Sequence, residues 1–250
     1  MKIRILGCGG SFGSPLAWSR VGDIDINNKK NFRTRSSILL SKNHSNLLID
    51  TSPDLRQQLY DAKCTNIDSI LYTHIHSDHT SGAPDMRAMS LINDKIIPAF
   101  MPDQMIDEMS TSYKYIFSGE KDYRPFMKIN KLKKKFSIGD FAIETFNHNH
   151  GAIDAQTYRI DNFAYSTDIK KFYNNDIDKL KNLDLWIVGL LRYKEHPAHC
   201  GFEEIMDYVN YLQPKKTIFT HMTALIDEKK INSMCPKNVL AGYDGMEINL

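Results

Sequence analysis

Apolar and polar residues alternate with period two from the start of the chain, Lys2-Ile3-Arg4-Ile5, as in a strand with one buried face. That first strand is read as Ile3–Leu6. Similar short runs rich in Ile, Leu, Phe and Tyr recur at Ser37–Leu40, Asn46–Ile49, Ser69–Tyr72, Ile96–Phe100, Phe141–Phe146, Ala155–Ile160, Phe163–Ser166, Leu185–Leu190 and Thr217–Phe219, and all read as strands. Helical spacing falls between some of them. Ser52-Pro53 reads as an N-cap followed by proline at the first helical position, with Leu55, Leu59 and Ala62 on one face. Asp103–Phe117 reads as a helix with Met105, Ile106, Met109 and Tyr113 on one side, either core or the wall of a substrate cleft. Phe202, Ile205, Met206, Val209 and Leu212 form a helical stripe that starts near Gly201 and is ended by Pro214. Strands followed by helices occur twice. Two mixed halves predict an α+β fold, two packed sheets with helices on the outer faces. With no internal repeat and no Pro/Gly/Ser-rich linker, one domain spanning 1–250 is expected.

Composition narrows the classes. The chain has 250 residues, 42% hydrophobic and 25% charged, ordinary for a globular protein. A net charge of +2 gives no case for a nucleic-acid partner. No apolar segment is long enough to span a bilayer, and Met1–Gly7 lacks the apolar core of a signal peptide. Cys8, Cys64, Cys200 and Cys235 form no Cys-x-x-Cys pair, which argues against a disulfide framework or a cysteine zinc cage. A cytoplasmic location is expected. The one concentrated charge run, Lys131-Leu132-Lys133-Lys134-Lys135, reads as a solvated turn before a strand at Phe136–Ile138 rather than a phosphate-steering patch.

The chemistry lies in Thr73-His74-Ile75-His76-Ser77-Asp78-His79. It places three imidazoles and a carboxylate within six residues at a strand end, and these are natural ligands of divalent transition metals. On an extended chain His74 and His76 point the same way, leaving Asp78 and His79, beyond the turn, to face a second ion. His150, Asp168, His199 and His221 also follow strand-like runs, so their side chains converge on one rim. His150 is preferred to His148 as a ligand because Gly151 lets the backbone turn tightly beside it. His148 and Asp50 suit supporting roles behind metal-bound histidines. His196 and His199 are equivalent on this reading. His44 reads as a surface histidine, and Cys8 and Cys200 as small packed residues.

The motif His74-x-His76-x-Asp78-His79, followed by His150, Ser166-Thr167-Asp168 and Thr220-His221, resembles the metallo-β-lactamase superfamily along the length of the chain. Gly7-Cys8-Gly9-Gly10-Ser11-Phe12-Gly13, Arg33-Thr34-Arg35-Ser36-Ser37, Leu48-Ile49-Asp50-Thr51-Ser52-Pro53 and Tyr243-Asp244-Gly245-Met246-Glu247 resemble its phosphoribosyl cyclic phosphate phosphodiesterase branch. The resemblance implies an αββα sandwich and two divalent ions, Mn²⁺ or Zn²⁺. His74, His76 and His150 would hold one ion, Asp78, His79 and His221 the second, and Asp168 both. Asp78 thereby joins the catalytic set, and His199, rather than His196, is implied as general acid. The implied reaction is hydrolysis of a small (cyclic) phosphodiester, such as a ribosyl cyclic phosphate, by water activated between the ions. A homodimer is a family expectation. The branch also has a structural zinc held by cysteines after the first glycine-rich turn and a later histidine. Here Pro15–Arg20 has no cysteine and Ala224 stands where the histidine is expected, so no structural zinc is expected.

Three rivals remain on the sequence. A tRNA 3′-processing endoribonuclease shares the ligand set, but no long Gly/Lys-rich arm is present. Thiolester or lactam hydrolysis could use the same site. A non-catalytic, metal-bound accessory protein is the third. Arg33, Arg35, Arg192 and the lysine run are all candidate phosphate contacts that the sequence does not distinguish from surface charge.

Overall fold

The structure is a computed structural model in which residues 1–16, 22–173 and 176–250 are described. The first sheet runs in the order β15-β1-β2-β3-β4-β5-β6. Its strands are β1 (Lys2–Gly7), β2 (Ser37–Lys42), β3 (Ser45–Ile49), β4 (Ser69–Leu71), β5 (Ile97–Met101), β6 (Met127–Lys131) and, at the chain's end, β15 (Glu247–Asn249). Pairing is antiparallel from β15 to β3 and parallel from β3 to β6. The second sheet runs β11-β8-β9-β10-β12-β13-β14, with β7 also paired to β8. These are β7 (Lys135–Ile138), β8 (Phe141–His150), β9 (Ile153–Ile160), β10 (Phe163–Ser166), β11 (Lys171–Phe172), β12 (Leu185–Gly189), β13 (Lys216–Thr220) and β14 (Val239–Ala241). The helices are α1 (Leu55–Asp61), α2 (Ser77–Thr80), α3 (Met86–Ile92), α4 (Asp103–Ser112), α5 (Lys114–Phe117), α6 (Phe202–Leu212) and α7 (Glu228–Met234). No helix among the described residues is long and apolar enough to cross a membrane.

The period-two pattern decides the layering. On β2 and β3, Ile38, Leu40, Leu47 and Ile49 join Tyr158, Tyr165 and Trp186 of the second sheet in one buried cluster. Their neighbours Leu39 and Leu48 point the other way and pack with Leu55 and Leu59 of α1, Met86 of α3 and Met105 of α4. Each such fully buried aliphatic side chain contributes about 1.5–3 kcal/mol. On the far side, the α6 stripe Phe202, Ile205, Val209 and Leu212 covers the second sheet, with Phe202 against Phe219 of β13. The result is the expected αββα sandwich of two mixed sheets.

Several boundaries differ from the sequence reading. The first helix starts at Leu55, not Pro53. Ser52 Oγ accepts from the Asp54 amide at 3.1 Å and donates to Gln58 Oε1 at 2.8 Å, closing a turn before the helix. The helix expected over 103–117 is broken at Tyr113, whose backbone (φ −122°, ψ 37°) leaves the helical region. The strand expected to stop at Phe146 continues to His150, because Asn147–His150 pair with β9 in the register Asn147↔Gln156 to His150↔Ile153. That segment is polar, so no apolar pattern marks it. The strands β6, β11, β14 and β15 were also unmarked. Lys131 ends β6 and Lys135 opens β7, so the lysine run is the turn between them; Lys131 and Lys135 face Asp103 and Glu144, each at 3.4 Å.

Candidate metal centre

The candidate ligands lie at the carboxyl ends of strands and meet on one rim. His74 lies three residues beyond β4, and Asp78 and His79 lie on the single turn of α2. His150 is the last residue of β8, Asp168 is two beyond β10, and His221 follows β13 directly. The short helix is pinned by the Thr51 amide to the His79 carbonyl at 2.8 Å and by Thr80 Oγ1 to the His76 carbonyl at 3.1 Å. His74, Asp78, His79, His150, Asp168 and His221 are buried, while His76 is exposed and opens the site to solvent.

Two donor groups form. In the first, His76 Nδ1 lies 3.0 Å from His74 Nε2 and 3.2 Å from His150 Nε2. In the second, Asp78 Oδ2 lies 3.2 Å from His221 Nε2 and 3.4 Å from His79 Nε2. Asp168 stands between them. Its Oδ2 is 3.3 Å from His79 Nε2, and its Oδ1 is 3.4 Å from His221 Nε2 and 3.8 Å from His150 Nε2.

Hydrogen bonding behind the rings assigns their tautomers. Asp50 accepts from the Thr73 amide through Oδ1 at 2.8 Å. Its Oδ2 accepts from Thr73 Oγ1 at 2.8 Å and from His79 Nδ1 at 2.7 Å. The Thr73 hydroxyl proton is thus used, so His74 Nδ1, 3.0 Å from Thr73 Oγ1, is the donor there. His150 Nδ1 donates to the Ala198 carbonyl at 2.9 Å. His74, His79 and His150 therefore turn bare Nε2 lone pairs inward. His79 Nε2 is buried with no hydrogen-bond partner, facing two carboxylate oxygens. Lone pairs aimed at one another and at carboxylates in a buried site need a positive charge between them. Donor atoms of one tetrahedral ion, with bonds near 2.0–2.1 Å, lie about 3.3 Å apart, and the nitrogen separations match that. The residues fit divalent ions.

Burial pushes the His74 ring well below the ordinary imidazole value and pushes His199 down to about 3. Burial also opposes charge on Asp168, but His221, His79 and His74 hold its carboxyl well below the usual range. His79 behaves oppositely: burial works against its protonation, and Asp78, Asp50 and Asp168 together hold it well above. Asp50 is raised by burial, against the pull of His79 and Thr73.

The remaining candidates separate by geometry. His148 Nε2 bonds the Thr167 carbonyl at 2.8 Å and its Nδ1 the Thr157 hydroxyl at 2.9 Å, so both nitrogens are occupied and it steadies the chain beside Asp168. His199 Nδ1 comes within 3.7 Å of Asp168 Oδ1, and its ring centroid is 4.8 Å from that of His150. His196 lies behind it, bridged to it through backbone hydrogen bonds, and its Nδ1 accepts from the Ala198 amide at 3.2 Å. His199 is also within ligating reach of the group formed with His150 and Asp168. His44 is on an exposed turn. Arg33 is not a substrate contact, because it is buried and donates to the Ile226 carbonyl and Asn31 Oδ1. Arg35 pairs with Asp54 at 3.0 Å, and Arg192 donates to the Glu195 carbonyl at 2.8 Å. Cys8 and Cys200 are buried. Ala224 is buried, its carbonyl accepting from the Asp23 amide, while 17–20 of the loop compared with a structural zinc site lie outside the described residues. Sequence reasoning missed Thr73, Thr167 and Ala198. Thr73 alone carried a signal, as a hydroxyl residue next to the first ligand.

The other motifs gather around this rim. Gly9 bridges Arg35 on one side and Met222 on the other, and the Gly10 amide donates to the Met222 carbonyl at 3.1 Å. Asp244 ties them together, accepting from the Cys8 amide at 3.1 Å and from the Thr34 amide at 2.7 Å.

A family profile described as "Beta-lactamase superfamily domain" matches residues 45–222. The chain is 28% identical over 255 residues to a protein of Porphyromonas gingivalis (strain ATCC BAA-308 / W83) named octanoyltransferase; the match covers 99% of this chain and 51% of that protein, so the chain spans about half the length of this curated relative. Its fold superimposes on a diphosphatase from the PhnP family with a TM-score of 0.91 and 25% identity, covering 99% of this chain and 96% of that one. Zn²⁺-bound PqqB from Methylobacterium extorquens superimposes with a TM-score of 0.82 at 15% identity, covering 100% of both chains, a likeness of fold. The chain belongs to the beta-lactamase superfamily, and is a metal-dependent hydrolase of that fold.

Proposed function

We propose that the protein is a dinuclear phosphodiesterase acting on a small, cyclic or linear, phosphodiester such as a ribosyl cyclic phosphate. The observation that carries this reading is Asp168: one buried carboxylate within 3.3–3.8 Å of nitrogens from both donor groups. His74, His76 and His150 would hold one ion and Asp78, His79 and His221 the other, with Asp168 common to both. Zn²⁺ or Mn²⁺ in such paired sites would supply a water of lowered pKa and neutralise charge at the phosphoryl oxygens. The protein's own part is orientation and proton handling. Asp50 and the Ala198 carbonyl fix the rings, and His199, beside the exposed His76 opening, is placed to protonate the departing sugar oxygen. An alkoxide leaves poorly, so that proton matters. The likeness to a diphosphatase, which also cleaves a phosphoryl–oxygen bond, supports the reaction class.

A second reading comes from the P. gingivalis relative. Because the chain matches half of a protein named octanoyltransferase, hydrolysis of an octanoyl thioester at the same site is its natural competitor. Purified protein loaded with Mn²⁺ or Zn²⁺ should hydrolyse bis-aryl phosphates and ribosyl 1,2-cyclic phosphate, lose both activities on chelation, and leave octanoyl thioesters and precursor tRNA intact. Turnover of the thioester or the tRNA without turnover of the diesters would overturn the assignment. Asp168→Ala should no longer bind two ions per chain by elemental analysis; two retained ions would refute its shared role.

A further inference from the structure

We propose that a cleft beside His76 and His150 receives the alcohol arm of the substrate, and that it selects a sugar arm with free vicinal hydroxyls over one that carries a second phosphate. This rests on the phosphodiesterase reading above and specifies its substrate. The cleft has a volume of about 490 Å³, within the range of roughly 300–1,000 Å³ that holds small ligands. It adjoins the donor groups: Ile75 separates His74 from His76, and Asn149 and Gly151 flank His150. Gln104 and Glu108 of α4 form one wall, and Asn149, Asp154 and Tyr173 the other.

The polar lining is built to accept hydrogen bonds, not to hold an anion. Glu108 is exposed on α4. Asp154 accepts from Tyr173 Oη at 2.6 Å through Oδ1 and from Asn147 Nδ2 at 3.1 Å through Oδ2. Both partners are neutral, so its charge is not cancelled. Each carboxylate oxygen accepts two hydrogen bonds, which leaves capacity for a ligand's hydroxyls. No Lys or Arg lines the cleft among the described residues. Carboxylates that accept from vicinal hydroxyls are a recurrent way to hold ribose. A phosphate monoester, at about −1.5 to −2 at neutral pH, would instead meet two carboxylates of the same sign. Ile75 and Ile153 supply apolar surface for the sugar ring.

The test compares kcat/KM for ribose 1,2-cyclic phosphate with that for the same compound bearing a 5-phosphate, using the metal-loaded protein. Wild type should prefer the unphosphorylated sugar by at least tenfold. Glu108→Lys should move the ratio at least tenfold towards the phosphorylated sugar, and Glu108→Gln by a smaller factor. Asp154→Asn should raise KM for the unphosphorylated sugar more than it lowers kcat. Metal content and circular dichroism report whether each variant is folded. A wild-type preference for the phosphorylated sugar, or a ratio unmoved by Glu108→Lys in a folded, metal-loaded variant, overturns the proposal. If wild type hydrolyses bis-aryl phosphates but does not discriminate between the sugars, the cleft assignment alone fails. If it hydrolyses no diester, the phosphodiesterase reading fails and the cleft assignment with it.

Discussion

Asp50 touches no candidate ion position, yet Asp50→Asn should weaken metal binding in both donor groups. The carboxylate is fully buried and accepts three hydrogen bonds. Its backbone, at φ 64°, is in the left-handed region, which asparagine tolerates, and the two side chains have nearly the same shape. The substitution therefore changes hydrogen-bond polarity and little else. With the asparagine oxygen accepting from the Thr73 amide, Nδ2 replaces Oδ2 and becomes a double donor. One proton faces His79 Nδ1, which must accept, so the ring moves its own proton to Nε2 and loses its inward lone pair. The other faces Thr73 Oγ1, whose hydroxyl then turns to donate to His74 Nδ1, and His74 switches in the same way. One ligand in each group is affected. Replacing a residue behind a metal ligand typically costs 10–100-fold in affinity, about 1.4–2.8 kcal/mol per ion. Flipping the amide instead sets donor against donor at the Thr73 amide, at about 1–3 kcal/mol in folding stability. Competition against a chromophoric chelator, read for the first and second equivalents of Zn²⁺, gives both affinities. Two ions bound as tightly as in wild type, with unchanged thermal stability, would refute tautomer control by Asp50.

His199→Ala should lower turnover of an alkyl phosphodiester by about 10²–10⁴ and that of an activated aryl diester only a few-fold; equal losses would sink the general-acid role. Gly151→Ala should weaken the ion held by His74, His76 and His150, because the added Cβ would lie 2.8 Å from Ala198 Cβ and at φ +69°, shifting the carbonyl that holds His150 Nδ1, with a strain of about 1–2 kcal/mol; unchanged affinity by the same competition would contradict this. Burial pushes the Cys200 thiol from 9.0 up to about 12, so at neutral pH its thiolate fraction falls about a thousandfold. Iodoacetamide at pH 7.5 should leave Cys200 unmodified in the native protein by mass spectrometry, and rapid alkylation there would contradict the burial argument.

The parts legible in the sequence were those written by a physical period. Leu39 and Leu48, facing α1, and Ile38, Leu40, Leu47 and Ile49, facing the second sheet, follow directly from period two. The α6 stripe follows from helical spacing. The ligand run was legible because four donors within six residues leave little alternative chemistry. The end of β8 was hidden: Asn147–His150 are polar because the strand delivers His150 to the site and uses His148 to hold Thr167. Arg33 was misjudged for a related reason. Charge alone does not show that a guanidinium is buried under backbone carbonyls. The groups that set the tautomers were the least legible, since the Ala198 carbonyl acts through the backbone, which carries no residue signature.

Three of the residues that build the rim share an unusual backbone: Asp50 at φ 64°, Asp168 at φ 55° and His221 at φ 56°, each directly or almost directly after a strand. An extended chain would continue past the strand end with side chains alternating away from the rim. A single left-handed residue turns the backbone sharply, so that its side chain leans over the strand ends while the chain departs. Such conformations cost on the order of 1–3 kcal/mol each for residues other than glycine. Glycine would remove that cost but has no donor atom. Asp50 recovers part of the cost through its three hydrogen bonds, and Asp168 through the hydroxyl of Thr167. His221 recovers least, because its Nδ1 is buried without a partner. Local preference and global fold thus conflict at the very positions where the donor groups meet, while the two apolar clusters on either side of the first sheet show no such conflict. Departures from local consistency concentrate at functional sites. Here the buried core around β2, β3 and β12 offsets the strain, and its rigidity holds two donor groups close enough to share Asp168.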